Sequence, residues 1–309
     1  MEDYPRTLAD FERRFRSEEA CRDYLFRVRW PEGFRCPRCG ESRAWRLRSA
    51  LWQCANCAYQ ASLTAGTIFQ DTRTPLKVWF HALWWMTSQK NGVSALGLQR
   101  VLGLGSYQTA WCWLHKLRRA MVRPGREQLS GTVEVDEAYV GAPEEGVRGR
   151  ETQSKALIVV AAQEEGRGIG RIRMRRIADA SAGSLMPFVE ESIAPGSVVH
   201  TDGWLGYLPL DSKGYRRQIT VLRGQRHPSE LLPRVHRVIS LLKRWLLGTH
   251  QGAVRLEHVD DDLNEFTFRF NRRRSRSRGK LFFRLVQQAM TVEPSTYASI
   301  VSAAKTDRA

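Results

Sequence analysis

The chain has 309 residues, a net charge of +17 and 42% hydrophobic content. That length suits two or three modules, and a charge this basic favours a polyanion partner, most simply nucleic acid. No window nears the ~18 apolar residues of a membrane span and the polar N-terminus has no signal-peptide core, so the expectation is a protein inside the cell, with no membrane partner.

Residues 1–30 read as one charged lead-in helix, with Leu8, Phe11, Phe15, Ala20 and Tyr24 along a single apolar stripe. Residues 31–70 carry Cys36-Pro-Arg-Cys39 and Cys54-Ala-Asn-Cys57, with fourteen residues between the pairs. In a reducing compartment such pairs mean metal rather than disulfides. Each CxxC turn aims two thiolates at one centre, and two turns complete a tetrahedral site for Zn²⁺. Four thiolates leave no open position, so the ion would be structural. Trp45, Leu47, Leu51 and Trp52 suit the hairpin of a zinc ribbon, and Arg35, Arg38, Arg43, Arg46 and Arg48 suit contact with a DNA backbone. Cys21 and Cys112 read as packing residues.

Residues 71–125 contain three helical runs. Pro75 opens the first, Ser94 the second and Ser106 the third, while Gly103 to Gly105 separate the last two. Two short helices joined by a glycine turn resemble a helix-turn-helix, whose second helix would present Tyr107, Gln108, Lys116 and Arg119 to DNA. The alternative is a plain helical bundle with Trp79, Trp84, Trp85, Trp111 and Trp113 as its core.

The stretch Thr132–Gly141, TVEVDEAYVG, alternates as a strand. Asp136 shares a face with Glu134 and Ala138, while Val133, Val135 and Tyr139 take the other. An unpaired carboxylate in a core strand needs a partner, and a metal ion is one good answer; an edge-strand acid facing water is the other reading. A second acid, Asp202, ends the short strand of VVHTDGWLGY. Two aspartates at strand ends offer the hard oxygen ligands of a two-metal phosphoryl-transfer site. Between them come a loop (142–153), strands 155–163 and 169–177, and a helix near 182–193, and a further strand follows at 215–222. This order is that of a ribonuclease-H-like α/β core, a mixed sheet with flanking helices, its acids on neighbouring first and fourth strands.

After Pro233 a helix buries Val235, Val238, Ile239, Leu242 and Trp245 or Leu246. His236 lies 34 residues after Asp202, and Lys243 seven further on, two turns along the same side. Lys243 can meet phosphate while His236 faces the metal. A further helix runs from Leu256 to Arg269. The basic run at 271–280, with Arg272, Arg273 and Arg274, is either a solvated loop or a DNA-binding arm. Residues 281–290 form a closing amphipathic helix, and the last ~15 residues are expected to fray.

Together CPRC…CANC, VDEAYVG, HTDGWLGY, HRVISLLKRWLLGTHQG and LNEFTFRFNRR resemble bacterial DDE-class insertion-sequence transposases with an N-terminal zinc ribbon, the ISXO group. The resemblance runs from about residue 8 to about residue 290. It implies a ribonuclease-H-like catalytic domain over 130–290, ahead of a tail at 291–309, with two Mg²⁺ or Mn²⁺ ions. It also implies recognition of terminal inverted repeats in double-stranded DNA, strand cleavage and transfer, a homo-oligomer on DNA, and a nucleoid-associated cytoplasmic location. By motif, Asp136 and Asp202 are the first two acids, and the third place falls on His236 with Lys243 behind it. His236 departs from the usual glutamate; Glu265, then Glu257, are the alternative third acids. A structure-specific nuclease on the same fold and a zinc-ribbon DNA-binding regulator are the rival readings.

Overall fold

A five-stranded sheet organises the larger part of the chain. In the computed structural model, which describes residues 2–123, 125–141, 155–221, 231–250 and 255–306, the chain divides into two compact units. The first is Met1–Arg123 with Ser275–Ser302, and the second is Pro124–Arg274 with Ala303–Ala309.

In the first unit, α1 (Leu8–Arg14) and α2 (Glu18–Arg29) replace the single lead-in helix. Competing caps cause the break. The Thr7 hydroxyl accepts the Asp10 N–H and the Ser17 hydroxyl accepts the Ala20 N–H, so each starts its own helix. Phe11, Phe15 and Tyr24 still share one buried stripe and pack on Phe282, while Leu8 is exposed. Strands β1 (Ala44–Arg46), β2 (Trp52–Cys54) and β3 (Gln60–Ala61) form a small antiparallel sheet. The three expected helices are α3 (Leu76–Ser88), α4 (Ala95–Leu102) and α5 (Tyr107–Ala120). Trp79 and Trp113 stack at 3.6 Å between centroids, so part of the tryptophan set is core. In the same unit α9 (Arg278–Ala289) packs on α3. Helix α10 (Tyr297–Thr306) forms where a frayed tail was expected.

In the second unit the strands are β4 (Thr132–Val140), β5 (Ala156–Glu165), β6 (Gly168–Arg176), β7 (Val198–Thr201) and β8 (Arg216–Ile219). Their order in the sheet is β6-β5-β4-β7-β8. The first three are antiparallel neighbours, and β7 and β8 add in parallel beside β4. This is the ribonuclease-H-like mixed sheet, with β4 at its centre. The loop expected at 142–153 lies outside the described residues.

Alternation along β4 fixes both faces. Val133 and Val135 bury against α6 (Ala182–Ser192) with Leu185, Phe188 and Val189. Ala138 and Val140 bury on the other face with α7 (Pro233–His250) and α8 (Val259–Asn271). The apolar stripe expected on α7, Val235, Val238, Ile239, Leu242 and Leu246, is buried. A contact that the sequence did not suggest docks α8: the Asn271 side chain exchanges two hydrogen bonds with the backbone of Ile172 on β6.

Candidate functional site

Register carries Asp136 and Asp202 to the same place. Thr132, Val133 and Glu134 pair with Val198, Val199 and His200 in parallel, and two residues further along each strand stand Asp136 and Asp202. Both share the face of Glu134, toward α7. Asp136 lies inside β4, its side chain 17% exposed. Its Oδ1 accepts the Glu137 N–H at 2.9 Å, which leaves Oδ2 turned toward α7. Asp202 follows β7 directly, and its Oδ1 accepts the Trp204 N–H at 2.9 Å. That tight turn needs Gly203, at φ +86°.

His236 enters from the first turn of α7, and its Nδ1 lies 3.9 Å from Asp136 Oδ2. Among the described residues its Nε2 is buried without a hydrogen-bond partner. Burial pushes the imidazole below its ordinary pKa, against the opposing pull of Glu134 and Asp202, so the ring is a neutral donor at pH 7. Burial likewise pushes Asp136 up to about 6, with the Asp202 charge adding and the Glu137 N–H opposing. A desolvated carboxylate, a second carboxylate that repels it and a neutral imidazole are donor types that suit a divalent cation. Lys243 is exposed two turns along α7.

Glu265 stands elsewhere. It is fully buried, pairs with Arg269 of its own helix at 2.8 Å, and sits on α8, which packs on the edge strand β6. Glu257 falls in the short 3-10 turn Leu256–His258. On the opposite face of β4, Glu137 accepts the hydroxyl of the buried Tyr207, which lies in the segment after Asp202. The sequence reading missed this pair.

The four cysteines close on one point, their sulfurs all within 4.8 Å of one another. Cys36 and Cys57 are 3.6 Å apart and Cys39 and Cys54 3.5 Å apart. A tetrahedron with Zn–S bonds of ~2.3 Å has edges of ~3.8 Å, so the set fits zinc. Burial alone would raise the Cys36 thiol, yet hydrogen bonds, led by the N–H groups of Cys39 and Arg38, bring it down to about 7.

Helices α4 and α5 flank the glycine turn and pack on each other. Gly103 closes α4 in the left-handed region at φ 62°, and the Ser106 hydroxyl caps α5 through the Gln108 N–H. Of the residues expected on its outer face, Tyr107 and Gln108 are exposed, whereas Lys116 and Arg119 are half-buried. Gln108 and Arg119 also donate within their own unit, to Tyr297 and Ser295 at 3.3 Å each. The basic run is neither a free loop nor a free arm at its start. Arg272 and Arg273 lie over the rings of Phe268 and Phe270 at 3.9 and 4.1 Å. Arg274 pairs with Glu165 at 2.7 Å.

Residues 128–271 match the ISXO2-like transposase domain, and residues 16–60 match the transposase zinc-ribbon domain. A protein of Halobacterium salinarum, described as an uncharacterized protein in transposable element ISH50, is 26% identical over 263 residues, 77% of this chain and 86% of that one. Among solved structures, the pre-cleavage Mos1 transpososome is similar at 10% identity and a TM-score of 0.28, over 77% of this chain and 81% of that one. The Mos1 paired-end complex with left transposon end has the same TM-score at 11% identity, over 76% and 81% of the two chains.

Proposed function

From the premise that the chain belongs to the zinc-ribbon ISXO2-like transposases, we propose that it binds the terminal inverted repeats of its element and catalyses metal-dependent cleavage and transfer of DNA strands. The observation that carries the proposal is the meeting of Asp136 and His236 at 3.9 Å, with Asp202 in register beside them, on one face of a ribonuclease-H-like sheet.

Asp136, Asp202 and His236 would hold Mg²⁺ or Mn²⁺. Two such ions supply an activated attacking oxygen and a stabilised leaving oxygen for in-line displacement at phosphorus. The residues' own work is placement. The Glu137 and Trp204 N–H groups each hold one carboxylate oxygen and leave the other to bind. His236 contributes a neutral nitrogen, a softer donor than carboxylate, which favours Mn²⁺ relative to Mg²⁺. Lys243, exposed on the same side of α7, reaches for backbone phosphate. Cys36, Cys39, Cys54 and Cys57 would hold a structural Zn²⁺. Tyr107 and Gln108, exposed at the start of α5, would read bases, with Lys116, Arg119 and Arg272 to Arg274 contacting the backbone. Among the described residues no helix is long and apolar enough to cross a membrane.

The test is an element-end DNA duplex with Mn²⁺, scored for cleavage and for joining to a target. His236→Ala should lower cleavage by more than about 100-fold, the upper range for losing a residue that only supports a metal ligand, and should leave end binding intact. Cleavage without joining by the wild type would mark a nuclease instead. Full activity of His236→Ala would remove His236 from the site.

A further inference from the structure

Glu134 lies two residues before Asp136 on the same face of β4 and is 1% exposed. Its Oε2 accepts the backbone N–H groups of Arg234 at 2.7 Å and Val235 at 2.9 Å. Its Oε1 accepts the Arg234 guanidinium at 2.9 Å. Helix α7 begins at Pro233, which has no N–H, so these two backbone donors are the first of the helix and no preceding turn can satisfy them. A helix start usually takes a Ser, Thr, Asp or Asn from its own N-cap. Here the acceptor is a strand carboxylate 100 residues earlier in the chain. The same guanidinium extends the clamp, donating to Glu164 at 2.5 Å and to the carbonyls of Gly166 and Gly168 at 3.2 Å each.

The first turn of α7 is therefore tied to β4 and to the β5–β6 hairpin at once. His236 sits in that turn, one residue past the second donor that Glu134 accepts. A side chain 3.9 Å from Asp136 has its distance set by where α7 begins, and Glu134 sets where α7 begins. Strand β4 thus carries both an acid of the site and the acid that places its partner.

We infer that Glu134, acting through Arg234 and the α7 backbone, is a positioning residue that holds His236 against Asp136. The inference rests on the reading of Asp136, Asp202 and His236 as metal ligands. Its chemistry is that of an outer-shell group: it touches no substrate, and it orients a ligand that does the binding. The first unit supplies an internal control. Helix α3 also follows a proline, Pro75, and its Leu76 and Lys77 N–H groups are accepted by Glu18 at 3.0 and 3.1 Å. That cap is the same device, half-exposed and with no site residue in the turn it starts.

The experiment measures Mn²⁺ affinity of the zinc-loaded full chain by electron paramagnetic resonance of the free ion, with melting temperature recorded for each variant. Glu134→Gln keeps the shape and loses the charge, and should weaken Mn²⁺ binding about 10-fold, as outer-shell losses do. Glu18→Gln should lower the melting temperature and leave Mn²⁺ affinity within about twofold, since a cap alone affects helix stability only. In a His236→Ala background, Glu134→Gln should weaken binding no further, because the residue it positions is gone. Unchanged affinity in Glu134→Gln, or a loss that adds in full to that of His236→Ala, overturns the inference while leaving His236 a ligand. Unchanged affinity in His236→Ala itself removes the reading underneath, and the inference with it. If Glu134→Gln does not fold, Arg234→Lys keeps the charge and loses the fork; it should weaken Mn²⁺ by a smaller factor, and unchanged affinity there counts against the inference equally.

Discussion

The four cysteines of the ribbon come from two turns with fourteen residues between them, whereas Asp136, Asp202 and His236 come from a strand, a strand end and a helix 66 and 34 residues apart. The ribbon sulfurs stand within 4.8 Å of one another, and soft thiolates on all sides leave no place for water. The acid site mixes hard oxygens with one nitrogen and keeps exposed backbone beside it at Gly203. A local site can be specified by spacing alone. A distributed one depends on sheet register, on one tight turn and on where a helix begins. The first kind suits a structural ion, and the second suits chemistry that must admit a substrate.

The largest expected effect tests the closed site. Cys54 is 1% exposed and packs with Phe34, Ala61 and the flanking Trp30 and Trp52. Losing one thiolate forfeits much of a binding free energy that is also folding free energy, on the order of 10 kcal/mol for structural zinc peptides. Cys54→Ser should lose its zinc by metal analysis, and the tryptophans around it should shift to water-exposed fluorescence. Zinc retained in full would mean the four sulfurs do not act as one site.

The open site should respond in the reverse sense. Asp136 is carried from an ordinary 3.8 up to about 6, chiefly by burial. That is about two pH units at ~1.4 kcal/mol each, so keeping the ionised carboxylate costs the metal-free fold up to about 3 kcal/mol. The native state holds the proton more tightly than the unfolded chain. The cost is therefore fully present above pH 6, shrinks as pH falls from 6 to 3.8, and is gone below that range. Asp136→Asn should abolish cleavage yet melt at a higher temperature than the wild type at pH 7.5 without Mg²⁺ or Mn²⁺, and the gap should close on acidification. A variant that is less stable at pH 7.5 would mean that the carboxylate is satisfied by protein groups and has no need of a cation.

The same contrast separates what the sequence carries from what only the fold supplies. CxxC spacing, the alternation of TVEVDEAYVG and the 3.6-residue stripe of α7 are short-range signals, and each survives in the structure. Strand neighbourhood is also legible: the acids are expected on adjacent strands, and β4 and β7 pair in parallel. What was not legible is long-range polar satisfaction. Nothing local in Glu134 says that it caps a helix 100 residues away; the only hint is that Pro233 starts α7 with no Ser, Thr, Asp or Asn beside it. Likewise the basic run at 272–274 reads as charge, but the phenyl rings of Phe268 and Phe270 one turn back receive two of its guanidinium groups. The lead-in helix broke because Ser17 competes as a cap, a local signal outweighed in the reading by the apolar stripe.

The smallest effect isolates the turn that presents Asp202. Gly203 and Gly196 have nearly the same left-handed backbone, φ +86° and +82°. A Cβ at Gly196 would meet nothing within 4 Å, whereas one at Gly203 would lie 2.8 Å from Ile219 Cγ2. Alanine at either position carries the left-handed strain, about 1 kcal/mol. Only Gly203→Ala adds a clash with β8, and it does so between Asp202 and the Trp204 N–H that holds its carboxylate at 2.9 Å. Both variants should lose about 1 kcal/mol in urea unfolding, Gly203→Ala up to about 1 kcal/mol more. Cleavage should fall in Gly203→Ala and stay at the wild-type rate in Gly196→Ala. Equal cleavage by the two would show that the turn tolerates displacement, and that Asp202 is placed by β7 alone.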